Sequence, residues 1–458
     1  MDQLNQLLDL LFTPAGFLGV AIALVFVTVL YKEQYRRLHW FLVSVTGFAA
    51  SLNAGEGFPP LAFPLEQLRA QGRPLTVILL GLVLVIIYLS KRGRGAALMP
   101  SPLPYLIFIQ GLAFIYTIVG GGDQFFAILA VLTFGGMVLM MLYGPSRWME
   151  TEDHFKWGVL VIAMVGMIFS VVNIYQWLIN SYAITFTHGR LLGTTGNPQH
   201  AATLLGVTVP AFLYLVEDET KRPWLKGIWL AFLGIVTLGL FMTGSRTGIG
   251  IAAVGVMLFY GVSPKIITRL ALVAFGLFLV TLFFEPAQQW VLETIGSNLD
   301  RFSDVGVGRD EGGEFRFGTR DGVWRRQWRQ FTDNVWFGTG ISHRIHIEEN
   351  SWFGVAARFG LVGVMPLLLF AWECFKMMWQ LYQYGKRQPQ REKECNVVIA
   401  GLLALMAGAW FEGYLVGIIT FSVMALIQYL ILGKFLLQMQ RQEKIEQQAM
   451  LMETRYSY

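Results

Sequence analysis

Apolar residues in this chain fall in long, nearly unbroken runs separated by short polar gaps, without the strict alternation that marks half-buried strands. A helix needs about 20 apolar residues to cross ~30 Å of hydrocarbon. Thirteen runs meet or approach that length, near 14–31, 38–54, 74–90, 101–120, 124–143, 157–181, 199–217, 224–243, 246–262, 266–284, 351–381, 396–411 and 415–435. The second, ninth and twelfth are short, which leaves the count at 12–14 transmembrane helices. The pattern predicts an all-α polytopic membrane protein.

One stretch breaks the pattern. Residues 285–350 are polar, rich in glycine and arginine, and too long to lie structureless in a compact protein. Within it, 319–333 (TRDGVWRRQWRQFTD) has helical spacing: Val323, Trp324, Trp328 and Phe331 share one apolar face, and Thr319 or Asp321 serves as cap. The glycine-rich segment 305–318 is suited to closing over a substrate. The expected organisation is ten spans in 1–284, one large loop at 285–350, the remaining spans in 351–435, and an amphipathic charged tail at 436–458. Residues 1–13 lack the basic flank and cleavage site of a signal peptide and read as an interfacial amphipathic helix.

Composition supports a membrane protein: 55% of residues are hydrophobic and only 14% charged. The net charge of +5 would suggest nucleic acid in a soluble protein; here it follows from the lysine and arginine bias of cytoplasmic loops, and no nucleic-acid partner is expected. Lys32, Arg36 and Arg37 follow the first span, Lys91, Arg92 and Arg94 the third, and Arg147 and Lys156 the fifth. Lys221, Arg222 and Lys226 follow the seventh, Lys265 and Arg269 the ninth, and Lys386, Arg387, Arg391 and Lys393 the eleventh. Odd gaps and the tail are therefore cytoplasmic, even gaps face outward, and an odd span count puts the N-terminus outside. Cys374 and Cys395 form neither a disulfide framework nor a metal-thiolate spacing.

Against that bias, the few outward arginines stand out. Arg190 precedes the seventh span in GRLLGTTGNPQHAATLL, whose turn amides and helix N-terminus favour an anion; snorkelling at a span end is the plainer alternative. Asn197 and His200 in the same segment are candidate sugar hydrogen-bonders, each also explicable structurally. Arg246 lies in TGSRTG between two spans with almost no loop, at a depth where an unpaired cation is costly. Its partner is either Glu412, in another outward turn, or a phosphate held by its planar fork. Arg320 opens the loop helix, where a cation opposes the dipole unless an anion, or Asp321, compensates. Arg325, Arg326 and Arg329 read as that helix's solvated face. At the loop's end, HIEENSWFG offers Glu349 as a general base, with Glu348 and His346 as rivals and Asn350 beside them. An acidic cap before the next span is the plain reading of the same residues.

No Walker loop, HExxH or GxSxG motif occurs, and the intramembrane carboxylate–histidine chain of a proton-coupled pump is missing from the sequence. Taken in order, three segments resemble the family of O-antigen polymerases and O-antigen ligases. These are GRLLGTTGNPQHAATLL (189–205), TGSRTG (243–248), and GTRDGVWRRQWRQFTDNVWFGTG followed by ENSWFGVAARFGLVG. The resemblance covers roughly residues 150–435; the N-terminal third shares only hydropathy. In the ligase pattern the residue before the asparagine is a histidine, whereas here it is Glu349, with His346 three residues earlier. That departure favours a polymerase.

The resemblance implies a class C glycosyltransferase fold in the bacterial cytoplasmic membrane, acting at its periplasmic face. It implies an undecaprenyl-pyrophosphate-linked glycan as donor, a glycan acceptor, a chain-length regulator as candidate partner, and no cofactor or metal. Catalysis would fall to Glu349 as base with Arg246 and Arg320 on the pyrophosphate. Arg190, Asn197, His200, His346, Glu348 and Asn350 would bind substrate. The ligase is the alternative. A solute transporter is a weaker rival, since the unusual residues gather at one face and not at midplane, and a non-catalytic scaffold leaves the outward arginines without purpose.

Overall fold

The computed structural model describes residues 36–53, 61–89, 98–179, 186–187, 190–261, 321–341, 350–417 and 419–456. The expected first and tenth spans, and the loop residues 285–320, lie outside them. In chain order the described residues form α1 (Arg36–Ser51), α2 (Leu65–Ala70), α3 (Gly72–Leu89), α4 (Leu103–Val119), α5 (Gln124–Tyr143), α6 (Pro145–Trp148) and α7 (Glu152–Ile179). The two-residue strands β1 (Phe186–Thr187) and β2 (Arg190–Leu191) pair antiparallel. Then come α8 (Pro198–Asp218), α9 (Pro223–Met242), α10 (Arg246–Tyr260), α11 (Asp321–Asp333), α12 (Ser351–Arg387), α13 (Glu392–Gly408) and α14 (Phe421–Tyr456).

The protein is all-α and polytopic. Among the described residues six helices are long and apolar enough to cross a membrane, and α1, α3, α4 and α10 are shorter apolar helices. Helices suit this setting because hydrocarbon offers the backbone no hydrogen-bond partner, so each segment must satisfy its own. Burial sorts the helices into layers. The apolar window of α8 is 89% buried and that of α14 83%, whereas that of α9 is 17% buried, so α8 and α14 form the centre and α9 the periphery.

Small residues let neighbours approach α8 closely, the packing mode of helices in lipid. A Cβ placed at Gly166 of α7 would lie 2.7 Å from Thr208 Oγ1, and one at Gly255 of α10 would lie 2.7 Å from Pro210 Cγ. Tyr429 of α14 donates to the Val207 carbonyl of α8 at 3.3 Å. Pro210 sits within α8 and Pro366 within α12. The kink in α12 lies instead at Gly360, with φ of 60° and ψ of −151°.

At the end where the basic gaps lie, carboxylates meet the cations. Lys156 pairs with Asp218 at 2.7 Å and Glu219 at 3.0 Å. Arg391 bonds Glu152, and Glu394 at 3.2 Å, and Lys393 reaches Glu217 at 3.7 Å. These contacts tie the starts of α7 and α13 to the end of α8. The starts of α8, α10 and α12 therefore lie at the other end, the one expected from charge bias to be the outer.

Candidate functional site

The outer end is built from three helix starts. Asn197 caps α8: its Oδ1 accepts from the Gln199 amide at 2.8 Å, and Pro198 follows at the first helical position, where its missing N–H costs nothing. Before it, Gly193 and Gly196 take left-handed backbone conformations (φ 55° and 62°), folding the GTTG turn so that Thr194 and Thr195 are fully buried. Ser245 caps α10 by accepting from the Gly248 amide at 3.4 Å. Asn350 caps α12, its Oδ1 accepting from the Trp352 amide at 2.8 Å and the Phe353 amide at 3.0 Å.

Close contacts chain these starts together. A Cβ at Gly248 would collide with that of Ala202, which sets the first turns of α8 and α10 side by side. A Cβ at Gly408, the last residue of α13, would lie 2.6 Å from Ile251 of α10. Ser351 then joins α12 to the turn after α13: its amide donates to the Ala409 carbonyl at 2.9 Å and its hydroxyl to that of Glu412 at 2.7 Å. The same hydroxyl accepts from the amides of Tyr414 at 3.1 Å and Leu415 at 3.2 Å. Gln110 of α4 holds the far side of this turn, donating to the Gly417 carbonyl at 2.8 Å and accepting from its amide at 3.0 Å.

Arg190 and Arg246 meet at one turn. The half-buried Arg190, on β2, donates through Nε to the Thr243 carbonyl at 2.6 Å. Thr243, Gly244 (φ 56°) and Ser245 form the turn that launches α10, and Arg246 is the first residue of that helix. Arg246 is exposed, and among the described residues it forms no ion pair. Glu412, the carboxylate considered as its partner, is buried in the turn beside Ser351 and forms no ion pair with it. A cation on a helix N-terminus opposes the dipole. Cation and dipole together present positive potential to whatever binds there.

His200 is exposed on the first turn of α8. Asn350 is fully buried, and its Nδ2 lies buried without a partner, a donor left over after the cap is made. Arg320, His346, Glu348 and Glu349 lie outside the described residues.

The loop helix α11 covers 321–333, within the 319–333 expected from spacing, and packs its tryptophans on the start of α12. Trp324 lies against Phe353 and Phe411, with ring centroids 6.0 and 6.1 Å apart, and Trp328 against Phe353 at 6.1 Å. Arg326 and Arg329 are exposed. The following segment, Val335–Gly340, hydrogen-bonds the broken part of α12: Leu361 N to Val335 O at 2.7 Å, Thr339 N to Ala357 O at 2.8 Å, and Gly340 N to Arg358 O at 3.0 Å. The break at Gly360 thus has its freed backbone groups answered, as non-helical backbone at membrane depth requires.

Sequence reasoning passed over Arg358. It is half-buried two residues before the break, and its Nη1 donates to the Gly340 carbonyl at 3.4 Å. Its signal was available: an arginine inside the apolar run of a span.

A comparison with models of known protein families finds no match to this chain, and a comparison with curated proteins finds none either.

Proposed function

We propose that this protein is an inverting membrane glycosyltransferase that polymerises undecaprenyl-pyrophosphate-linked oligosaccharide repeat units at the outer face of the cytoplasmic membrane. The observation that carries the reading is the shared turn of Arg190 and Arg246, set where the first turns of α8 and α10 lie side by side. Positive charge from fixed side chains and amides suits a pyrophosphate leaving group. The short motifs around these residues, in their order along the chain, resemble those of enzymes that act on lipid-linked glycans, and that resemblance supports the reading.

In this mechanism the arginine forks of Arg190, Arg246 and Arg320 hold the donor pyrophosphate. Glu349 takes the proton of the acceptor sugar hydroxyl. The resulting oxygen attacks the anomeric carbon from the face opposite the pyrophosphate. The new C–O bond forms as the bond to the pyrophosphate oxygen breaks, the configuration inverts, and undecaprenyl pyrophosphate departs with the negative charge. Asn350, adjacent to Glu349 in sequence, offers its unpartnered Nδ2 to an acceptor oxygen.

The test uses purified full-length protein in nanodiscs with an undecaprenyl-pyrophosphate oligosaccharide as sole substrate, products being sized on a gel. A ladder of products supports polymerisation. Transfer that occurs only once a lipid A core acceptor is supplied would replace the polymerase with a ligase. Folded protein that does neither would remove the glycosyltransferase reading. Glu349→Gln is expected to lose turnover while still binding donor, and full activity in that variant would move the base elsewhere.

A further inference from the structure

At the end opposite the arginine junction, a cavity of about 160 Å³ opens between α12, α14 and the residues leading into α4, lined in part by Ser101, Glu373, Lys376, Gln380, Lys434 and Arg441. Its depth follows from contacts on either side. Tyr384 of α12 and Gln388, its C-cap, hydrogen-bond Glu443 of α14 at 3.0 and 2.9 Å, so the two helices run in register. Lys376 precedes Tyr384 by eight residues and Lys434 precedes Glu443 by nine, which at 1.5 Å per residue is about 12–14 Å along either helix. Ser101 stands just before α4 begins. The cavity therefore lies where three helices enter the interface on the side of the basic gaps, which charge bias makes the cytoplasmic leaflet.

Three cations face one carboxylate there. Glu373 is taken up by Lys376 at 3.4 Å. Among the described residues neither Lys434 nor Arg441 forms an ion pair. Lys434 is half-buried in the run ILGKFLL, whose flanking residues Gly433 and Phe435 are buried. A cation at that depth calls for an anion. Beside the cavity, Trp372, Phe375, Trp379 and Tyr382 form an exposed stripe along α12, with Trp379 and Tyr382 stacked at 5.8 Å. Interfacial aromatics of this kind flank the glycerol region of a lipid.

We infer that this cavity binds the phosphate headgroup of an anionic glycerophospholipid from the cytoplasmic leaflet, with Lys376, Lys434 and Arg441 on the phosphate and the α12 aromatic stripe along the glycerol and upper acyl chains. A cavity of about 160 Å³ has room for a phosphodiester group. A free phosphate shares the chemistry but has no use for the aromatic stripe. The site is independent of the chemistry at the outer end.

The experiment is native mass spectrometry of the full-length protein titrated with phosphatidylglycerol, phosphatidylcholine or inorganic phosphate. Phosphatidylglycerol is expected to be retained in preference to phosphatidylcholine. Neutralising a cation near an anionic lipid costs about five-fold in affinity, so Lys434→Gln and Arg441→Gln should each lower retention by about that factor. Lys434→Arg should keep it, as should Lys226→Gln, which removes an exposed cation on the same side but away from the cavity. Equal retention of the two lipids by the unaltered protein, or the same loss from Lys226→Gln as from Lys434→Gln, would overturn the proposal. Displacement of phosphatidylglycerol by inorganic phosphate at equal concentration would assign the cavity to a soluble anion instead. The lipid comparison uses the native chain and stands even where a variant fails to fold.

Discussion

The junction of α7, α8 and α13 and the turn that launches α10 treat the same kind of residue differently. At the end of the basic gaps, Lys156, Lys386, Arg391 and Lys393 each meet a carboxylate from a neighbouring element. At the outer end Arg69 has Glu66, but Arg246 and Arg358 have no carboxylate among the described residues, and Arg190 spends its Nε on a backbone carbonyl. Paired cations join helices and carry no surplus potential. Arg246, without a carboxylate among the described residues, adds its charge to the dipole at the start of α10. The contrast separates cations that join α7, α8 and α13 from a cation at the start of α10 that joins nothing.

Substitutions at the two ends should therefore fail in different ways. The largest effect is expected at the junction itself: Arg246→Ala should lower polymerisation by about 10²–10³-fold, the usual loss for a group that stabilises leaving-group charge, while inserting and melting as the native protein does. Ladder formation at native rate by well-inserted Arg246→Ala would end its role. At the opposite end, Arg391→Ala should spare activity per folded molecule but cost about 2 kcal/mol, because it strands the largely buried Glu394 and frees Glu152; thermal melting in detergent reads this, and an unchanged Tm would show that the pairs hold nothing.

Asn350 bridges the two behaviours. Asn350→Ala should cost about 1 kcal/mol through the lost cap of α12. Asn350→Asp keeps the accepting oxygen of the cap but replaces the spare Nδ2 donor with a carboxylate oxygen and adds a buried charge, so turnover should fall by more than the loss in melting temperature accounts for. Turnover at native level in Asn350→Asp would confine the residue to capping. The smallest change is expected from Lys156→Ala, whose pair partners are about a third exposed or less: under about 1 kcal/mol, shrinking further as salt is raised. A larger, salt-insensitive loss there would mean that the inner network is more cooperative than its separate pairs.

Part of this was readable from hydropathy and apolar spacing. The tryptophan spacing of 319–333 announced the loop helix, because it depends on residues close in sequence, whereas Asn197 and Asn350 read as candidate substrate binders and only the structure shows them capping α8 and α12. Arg190 and Arg246 were conspicuous as outward cations. That they share a turn was not readable, since the bond from Arg190 to Thr243 spans 53 residues and rests on which helices pack together. The kink at Gly360 was equally hidden, because an apolar run reads the same through a break whose backbone groups are answered by Val335–Gly340.

By itself the sequence determined an all-α polytopic membrane protein, which gaps are basic, and the helical character of 319–333, because hydrophobic runs, charge bias and apolar spacing act through solvent and near neighbours. Only the tertiary structure decided which cations keep a carboxylate and which do not. That outcome turns on close approaches such as Gly248 to Ala202 and Gly408 to Ile251, and on Ser351 holding the turn of Glu412. A helix reaches its neighbour by small residues and shared hydrogen bonds, and neither leaves a periodic trace along the chain.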